Sequence, residues 1–202
     1  MIPLRRRHLA ALAMVLIAGV APARRHDDPA DWQSRITVPD RVRLRGWRQA
    51  WLDALAQARA GGAGPKVATE GALLEPDAAI NDPAAPDGDY RCRIIKLGAK
   101  TAGDPVFSAS PPATCRLRQG RLTALDGAQR PVGSLWAYDG VRMLFLGSME
   151  LTDEGAAMPY GRDRERDLIG LFERIGPHRW RIVFPRPRWQ SQLDVLELVP
   201  AA

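Results

Sequence analysis

The stretch AYDGVRM, residues 137–143, places Asp139-Gly140 between two runs in which apolar and polar residues alternate. An Asp-Gly pair in such a position is a strong signal for a hairpin between antiparallel strands. The flanking runs are GSLWAY before the pair and VRMLFLGSMEL after it. Residues 133–151 are therefore predicted to form a β-hairpin, and the rest of the chain is interpreted outward from it.

Similar alternating runs, separated by Gly, Pro and Asp turns, lie on both sides of this hairpin from about residue 88 onward. They are YRCRIIKL, PVFSA, TCRLR, RLTAL, DLIGLFERI, RWRIVF and LDVLELV. Eight or nine strands at this spacing predict a small antiparallel barrel or sandwich. The alternative is an open curved sheet with helices over one face, and we favour the barrel-like sheet.

The N-terminal part of the chain has a helical pattern instead. TVPD, residues 37–40, has a capping Thr and an early Pro, as helix starts do. A helix is predicted from about residue 38 to 60, ending at GGAGP, and a shorter one is predicted over KVATEGALL. The apolar stripe of the longer helix consists of Val42, Leu44, Trp47, Trp51, Leu52 and Leu55. The predicted class is α+β, with a helical segment at 24–82 packed on an antiparallel β domain at 83–202 as one globular unit.

Residues 1–23 have the layout of a secretory signal peptide. Three consecutive arginines, residues 5–7, precede an apolar stretch from Leu9 to Val20 and small residues at Ala21 and Ala23. The apolar stretch is shorter than the roughly 20 residues that a membrane-spanning helix needs. We therefore expect cleavage after Ala23, by the general or the twin-arginine export route, and a soluble periplasmic product without a membrane span.

The formal net charge of +6 does not predict a nucleic-acid partner. The three arginines of the predicted signal peptide account for half of it. The sequence also lacks most of the side-chain sets that the common kinds of enzyme need. The part after residue 23 has two histidines, His26 and His178, and no glycine-rich phosphate loop or clustered Cys and His. We predict no metal site, no cofactor and no catalytic residue of the serine, cysteine or zinc types.

Cys92 and Cys115 are the two cysteines of the chain, and both lie in strand-like runs. An even pair in an exported protein predicts a disulfide. If it joins neighbouring strands, the arginines beside the cysteines share one face of the sheet. We call this set the arginine face: Arg91, Arg93, Arg116 and Arg118. Like charges on neighbouring strands repel each other, so either acids of the same chain or an anionic ligand must neutralise them, and acids are favoured.

YGRDRERD, residues 160–167, is the most charge-dense stretch of the chain. Its candidate ligand-binding residues are Tyr160, Arg162, Asp163 and Asp167. We expect Asp163 or Asp167 to be buried against an arginine. The candidate partners of the acids in this stretch are the nearby Arg162, Arg164 and Arg166, or the arginine face. Such a contact would fix the segment to the sheet.

Carboxylates are the remaining candidates for catalysis, because two of them can hydrolyse a glycosidic bond without histidine. They are concentrated in the last three predicted strands and the loop that precedes them: Asp163, Glu165, Asp167, Glu173, Asp194 and Glu197. Asp194 and Glu197 are three residues apart, so they point to opposite faces of a strand. Pairing with the many arginines explains these acids better than an active site does.

Several blocks together resemble a bacterial family known as domain of unknown function 4893. They are DWQSRIT, DRVRLRGWRQAW, EGALLEPDAA, DYRCRIIKLG, QRPVGSL, YGRDRERDLIGLFERIG and RWRIVFPRPRWQSQLDVLELVPA. The resemblance implies an exported protein and supplies no activity, cofactor or site residue. The sequence therefore favours a binding module without catalysis, for an anionic ligand or an envelope component. The alternative is a carboxylate-dependent hydrolase acting on a cell-envelope glycan.

Overall fold

The computed structural model describes residues 31–201. The predicted signal peptide and its cleavage site lie outside the described residues. Four α-helices come first, with a π-helical turn Arg59–Ala63 before the fourth and a 3₁₀ turn Gly71–Leu73 after it. The helices are α1 Asp31–Arg35, α2 Val38–Arg45, α3 Trp47–Ala58 and α4 Gly64–Glu70. None of the helices in residues 31–201 is long and apolar enough to cross a membrane.

The β part is a closed antiparallel barrel. Its eight strands follow one another around the barrel in chain order, β1 and β3 to β9, and pairing of β9 with β1 closes it, while β2 is an extra strand beside β1. The strands are β1 Gly88–Ala99, β2 Phe107–Ala109, β3 Ala113–Arg118, β4 Arg121–Ala124, β5 Gln129–Ala137, β6 Arg142–Leu151, β7 Asp167–Gly176, β8 Arg179–Pro185 and β9 Ser191–Pro200. The α+β class is confirmed, and the sheet is a closed barrel instead of an open curved sheet.

The hairpin predicted at Asp139-Gly140 joins β5 to β6. The Asp139 carboxylate accepts a hydrogen bond from the Val141 amide at 2.9 Å, and the Asp139 amide donates to the Arg142 carbonyl at 3.1 Å. Farther along the same pair, Gly133 lies opposite Gly147, and a Cβ on either would collide with the Phe145 ring. Because neither glycine has a side chain, the Phe145 ring has room to pack over them inside the barrel.

The interior of the barrel is filled mainly by large side chains. Edge-to-face contacts join Phe145 to Phe184, with ring centroids 5.5 Å apart, and Tyr90 to Trp180, 6.1 Å apart. Phe172, Leu117 and their neighbours complete this cluster. A barrel of eight strands is just wide enough for side chains to fill it or for one small ligand to enter.

The helices pack on the outer surface of the barrel. Trp51 and Leu55 of α3 contact apolar side chains of β1, β8 and β9, while Leu44 of α2 belongs to a cluster on the outside of β5 to β7. The prediction of one continuous helix over 38–60 is wrong, because the chain turns at Gly46, which has φ −92° and ψ 9°. The turn changes which side chains face the barrel, so Val42 and Leu52 of the predicted apolar stripe are 62% and 43% exposed.

A buried arginine joins the helical part to the barrel. The Arg181 side chain on β8 is completely buried and donates to the Glu173 carboxylate at 2.7 Å. It also donates to the carbonyls of Ala72, Leu73 and Glu75 at 2.8–3.0 Å. Its guanidinium lies 4.4 Å from the centre of the Trp51 ring. One cation thus satisfies the backbone that follows α4 and holds it against the sheet.

The two ends of the barrel differ in the length of their loops. Tight hairpins at residues 119–120, 138–141 and 177–178 connect the strands at one end. We call the other end the mouth, and the segments that surround it are residues 100–112, 125–128, 152–166 and 186–190. Long loops on a rigid scaffold are where binding residues are usually found.

Candidate functional site

A cavity of about 630 Å³ opens at the mouth, between β1 and the turn that joins β4 to β5. Most of its wall is apolar, and proline and alanine are the commonest residues in it. Among the residues that line it are Cys92, Ile94, Lys96, Pro105, Ala109, Pro111, Pro112, Ala113, Ala124, Ala128, Gln129, Pro131, Gln190 and Leu196. A cavity of this size, with an apolar wall and few polar groups, is typical of sites for small molecules.

The cavity exists because two strands separate at this point. β1 pairs with β3 only as far as Cys92 opposite Ala113, and from Ile95 onward its partner is β2. The two segments are joined by SPPA, residues 110–113, whose two prolines have no N–H to donate to a neighbouring strand. The predicted disulfide, Cys92 to Cys115, is confirmed, and its Cα atoms lie 5.9 Å apart at this point of separation.

One buried polar group lies at the inner side of the cavity. The Lys96 ammonium is 2.8 Å from the Asp194 carboxylate, whose second oxygen accepts a hydrogen bond from the Ser191 hydroxyl. Asp194 and Ser191 are buried, whereas Lys96 is partly exposed and also lines the cavity. The serine hydroxyl is bound to a carboxylate and shielded from solvent, so this arrangement does not present a nucleophile. It does place a cation at the wall of a mostly apolar cavity, whose other charged lining residues are Arg93 and Asp126.

The opposite side of the mouth is closed by two charged loops. Arg188 and Glu165 form an ion pair across them, with a hydrogen bond of 2.6 Å, and the bond to Arg188 lowers the pKa of Glu165. Arg166 forms a second ion pair with Glu154, and Trp189 packs against the aromatic cluster inside the barrel. Part of the charge-dense stretch 160–167 therefore forms the rim of the mouth.

The arginine face lies on the outside of β1 and β3, and its members share one face as predicted. Arg93 contacts Glu70 at 2.5 Å and Glu197 at 2.6 Å, and Arg116 contacts Asp89 at 2.7 Å. Arg91 and Arg118 make no ion pair with any residue in 31–201. Neutralisation by acids of the same chain thus accounts for half of this face.

Tyr160 and Asp167 lie together under α2. The Tyr160 hydroxyl donates to the Asp40 carboxylate at 2.5 Å, and burial raises the pKa of Tyr160. One oxygen of the Asp167 carboxylate accepts from the Gly161 amide at 2.8 Å, while the other is buried without a hydrogen-bond partner. Burial raises the pKa of Asp167. This region is an internal polar cluster that attaches α2 to the start of β7.

The expectation that Asp163 or Asp167 is buried against an arginine is only half right. Asp167 is 3% exposed, but Arg43 donates to its backbone carbonyl at 2.9 Å and not to its carboxylate. Asp163 is partly exposed and 3.4 Å from Arg166, and Arg162 is exposed. Arg166 is one of the nearby arginines that were candidate partners of Asp163. The other candidate, the arginine face, is wrong, because β7 lies between β6 and β8 and away from β1 and β3.

The candidate catalytic carboxylates other than Asp167 are engaged with cations. Glu173 contacts Arg142 at 2.8 Å and Arg181 at 2.6 Å, and Glu197 contacts Arg93 and Arg179. Asp126, an acid of the cavity wall, accepts a hydrogen bond from the Thr114 amide at 2.8 Å. Within residues 31–201, no pair of unpartnered carboxylates converges in the cavity.

The structure also shows where the remaining candidates for chemistry lie. His178 is exposed in a tight hairpin at the end of the barrel opposite the mouth. No group of three or more His, Cys, Asp or Glu side chains in the described part of the chain could hold a metal ion. The cavity was not predicted from the sequence. The signal that could have indicated it is the proline-rich segment between two strands that a disulfide was predicted to join.

Fold and site together define a meander barrel of eight strands with helices on its outside and a cavity at its mouth. The chain belongs to the family described as domain of unknown function (DUF4893), whose family model matches residues 32–198. No curated protein and no solved structure matches the chain. The resemblance found in the sequence is confirmed over nearly the whole described region.

Proposed function

We propose that this protein is an exported, non-catalytic binding module of the bacterial periplasm whose ligand occupies the cavity at the mouth. The observation that carries the proposal is the cavity of about 630 Å³ inside a rigid, disulfide-linked barrel. The mouths of β-barrels are among the common places for small-molecule sites.

The wall of the cavity supports a ligand that is mostly apolar and has one polar or anionic end. Prolines, alanines, Ile94 and Leu196 offer apolar contact, and Lys96 offers a cation at the inner side. Because Lys96 is already paired with Asp194, a bound anion would share this cation with the carboxylate. Burial of apolar surface would therefore supply most of the affinity.

The hydrolase alternative has less support. Glycoside hydrolysis needs two carboxyl groups on either side of the substrate bond, about 5–10 Å apart. The carboxylates of this chain that were candidates are held by arginine or lysine or lie buried under a helix. Among them, Glu165 has its pKa lowered by the bond to Arg188, which makes it a poor general acid.

The test uses the uncharged dye Nile red and a variant that fills the cavity. Ala128 lines the cavity and is exposed, so Ala128→Trp blocks the space without disturbing the interior of the barrel. We expect saturable Nile red fluorescence with the unmodified protein and an affinity at least about tenfold lower in Ala128→Trp. Ala102→Trp, in an exposed turn at the same end that does not line the cavity, is the matched control.

Equal affinities for the two tryptophan variants would overturn the proposal, as would dye binding that does not saturate. Native mass spectrometry of the protein from periplasmic extract then shows whether a small molecule is retained. A bound mass in the unmodified protein that Ala128→Trp lacks would assign the natural ligand to the cavity.

Export is supported by the layout of residues 1–23 and by the disulfide, because disulfides persist in oxidising compartments. Mass spectrometry of the periplasmic protein should find Arg24 at the N-terminus. An intact Met1 in the periplasmic fraction would contradict the cleavage prediction.

A further inference from the structure

A second concave site lies on the outer surface of the barrel. A groove of about 540 Å³ runs between β4 to β6 and the segment 157–160. Its wall contains two arginines and no acidic residue. The lining residues are Arg35, Arg121, Val132, Gly133, Ser134, Trp136, Leu146, Gly147, Ala157, Met158, Pro159 and Tyr160. The groove is separated from the mouth cavity by the sheet and shares no lining residue with it.

Three hydrogen-bond donors of this groove have no acceptor in the described part of the chain. Trp136 is only 7% exposed, and its buried indole N–H has no hydrogen-bond partner. The Ser134 hydroxyl and the exposed Arg121 guanidinium also make no hydrogen bond or ion pair with residues 31–201. Of these donors only the Trp136 N–H is buried, whereas Ser134 is partly exposed and Arg121 is exposed to solvent. Buried polar groups are normally satisfied, so the unmatched indole beside two free donors indicates an acceptor that comes from outside the chain.

The local charge favours an anionic acceptor. Arg121 lies directly opposite Arg118 across a tight hairpin, and both side chains are exposed. The turn residues Gln119 and Gly120 both have positive φ, 49° and 73°, which fixes the register of this pair. Two like charges at opposite positions repel each other. An anion at Arg121 would relieve this repulsion.

A further arginine reaches the groove from α1. The Arg35 guanidinium lies 5.1 Å from the centre of the Trp136 ring. Arg121 and Ser134 are directly opposite each other on β4 and β5, so their donors can converge on one group. Guanidinium groups bind the oxygens of phosphates and carboxylates with paired hydrogen bonds.

We propose that this outer groove binds an oxyanion, a phosphate or carboxylate group, through Arg121, with Ser134 and the Trp136 indole as neutral donors. The groove is bounded by the segment 157–160, so it takes a small charged group. The site is independent of the mouth cavity, so the failure of one proposal leaves the other standing.

The test is an NMR titration of ¹⁵N-labelled protein lacking residues 1–23, with inorganic phosphate and with acetate. The Trp136 indole signal is assigned by its loss in Trp136→Phe. We expect a saturable shift of this signal with at least one of the two anions, and none with uncharged glycerol. Arg121→Gln should weaken binding at least about tenfold, which is the loss of one charge-assisted contact.

Arg118→Gln is the matched control, since Arg118 is the exposed neighbour of Arg121 across the hairpin but does not line the groove. It should change the affinity by less than about twofold, the size expected for a screened surface charge. Equal weakening by Arg118→Gln and Arg121→Gln would show diffuse attraction and overturn the site, as would the absence of saturation with both anions.

The anionic group could belong to a free small molecule or to a phospholipid headgroup, and sedimentation with vesicles separates the two. A soluble ligand predicts equal sedimentation with phosphatidylglycerol and phosphatidylcholine vesicles. Extra binding to phosphatidylglycerol that Arg121→Gln removes would assign the groove to a headgroup. Extra binding that only Arg118→Gln removes would contradict the proposed role of Arg121.

Discussion

Replacing Arg181 by methionine should destabilise the protein more than the loss of any exposed ion pair. The side chain is completely buried, binds the Glu173 carboxylate at 2.7 Å and donates to three backbone carbonyls of residues 72–75. Removing one partner of a buried ion pair costs about 3–5 kcal/mol, because the remaining charge is left without compensation. Methionine fills a similar apolar volume beside Trp51, so the lost charge is the main change.

The assay is urea unfolding followed by tryptophan fluorescence, with thermal unfolding as a second measurement. For a domain of this size, about 3–5 kcal/mol corresponds to a melting temperature lower by roughly 6–20 °C. Arg48→Met is the matched control, because Arg48 forms an ion pair with Asp77 near the same segment but on the exposed surface. We expect no measurable change in this control.

A second substitution identifies the cause of the destabilisation. Adding Glu173→Gln to Arg181→Met neutralises the buried carboxylate and should recover part of the lost stability, although Arg142 then loses its partner at 2.8 Å. An unchanged unfolding midpoint in Arg181→Met would refute the reasoning altogether. A double variant less stable than Arg181→Met would move the cause from the buried charge to the unsatisfied carbonyls.

Three further predictions concern other elements. Trp51→Ala should lower the free energy of unfolding by about 3–5 kcal/mol, since the ring is fully buried between α3 and the barrel; an unmoved urea midpoint would contradict that packing. Thiol titration of the unfolded, unreduced protein should detect no free Cys92 or Cys115, and reduction should cost roughly 3.5 kcal/mol of stability. Burial raises the pKa of Asp167 in the folded state. Between the ordinary carboxyl pKa and this raised pKa, Asp167 is therefore protonated more in the folded than in the unfolded protein. The free energy of unfolding should then fall as the pH rises through this interval. Urea titrations between about pH 4 and pH 7 should show this decrease attenuated in Asp167→Asn, and an unchanged slope would mean that another group titrates.

The strands could be predicted from the sequence because each signal was local. Asp139-Gly140 predicted its hairpin. Alternation predicted a strand around Cys92 and another around Cys115, and the even pair of cysteines predicted the disulfide that makes these strands neighbours. Barrel closure requires β9 to pair with β1, a contact between residues about a hundred positions apart. No periodicity within a strand encodes such a partner, so the choice between closed barrel and open sheet needed the structure.

The errors have a common physical cause, which is the direction in which a side chain leaves its element. Val42 and Leu52 fit a continuous helix of 3.6 residues per turn, but the turn at Gly46 rotates α3 relative to α2. Asp167 was expected to meet arginine through its carboxylate, and the arginine that approaches binds the backbone instead. Composition indicates that many charged side chains must have partners of opposite charge. It does not indicate whether a partner binds the side chain or the backbone of a given residue.

The mouth cavity and the disulfide have one structural origin. β1 has to change partner from β3 to β2 after Cys92, and the prolines at 111 and 112 leave this gap without strand pairing. Without a covalent link, the separation of β1 from β3 at the mouth would extend farther along the two strands. Water can replace each backbone hydrogen bond that is broken between them. The Cys92–Cys115 bond joins Cys92, in the last β1–β3 pair, to Cys115, which lies opposite Tyr90, and it limits that separation. The barrel can therefore keep an open apolar cavity at one end while its aromatic interior stays closed at the other.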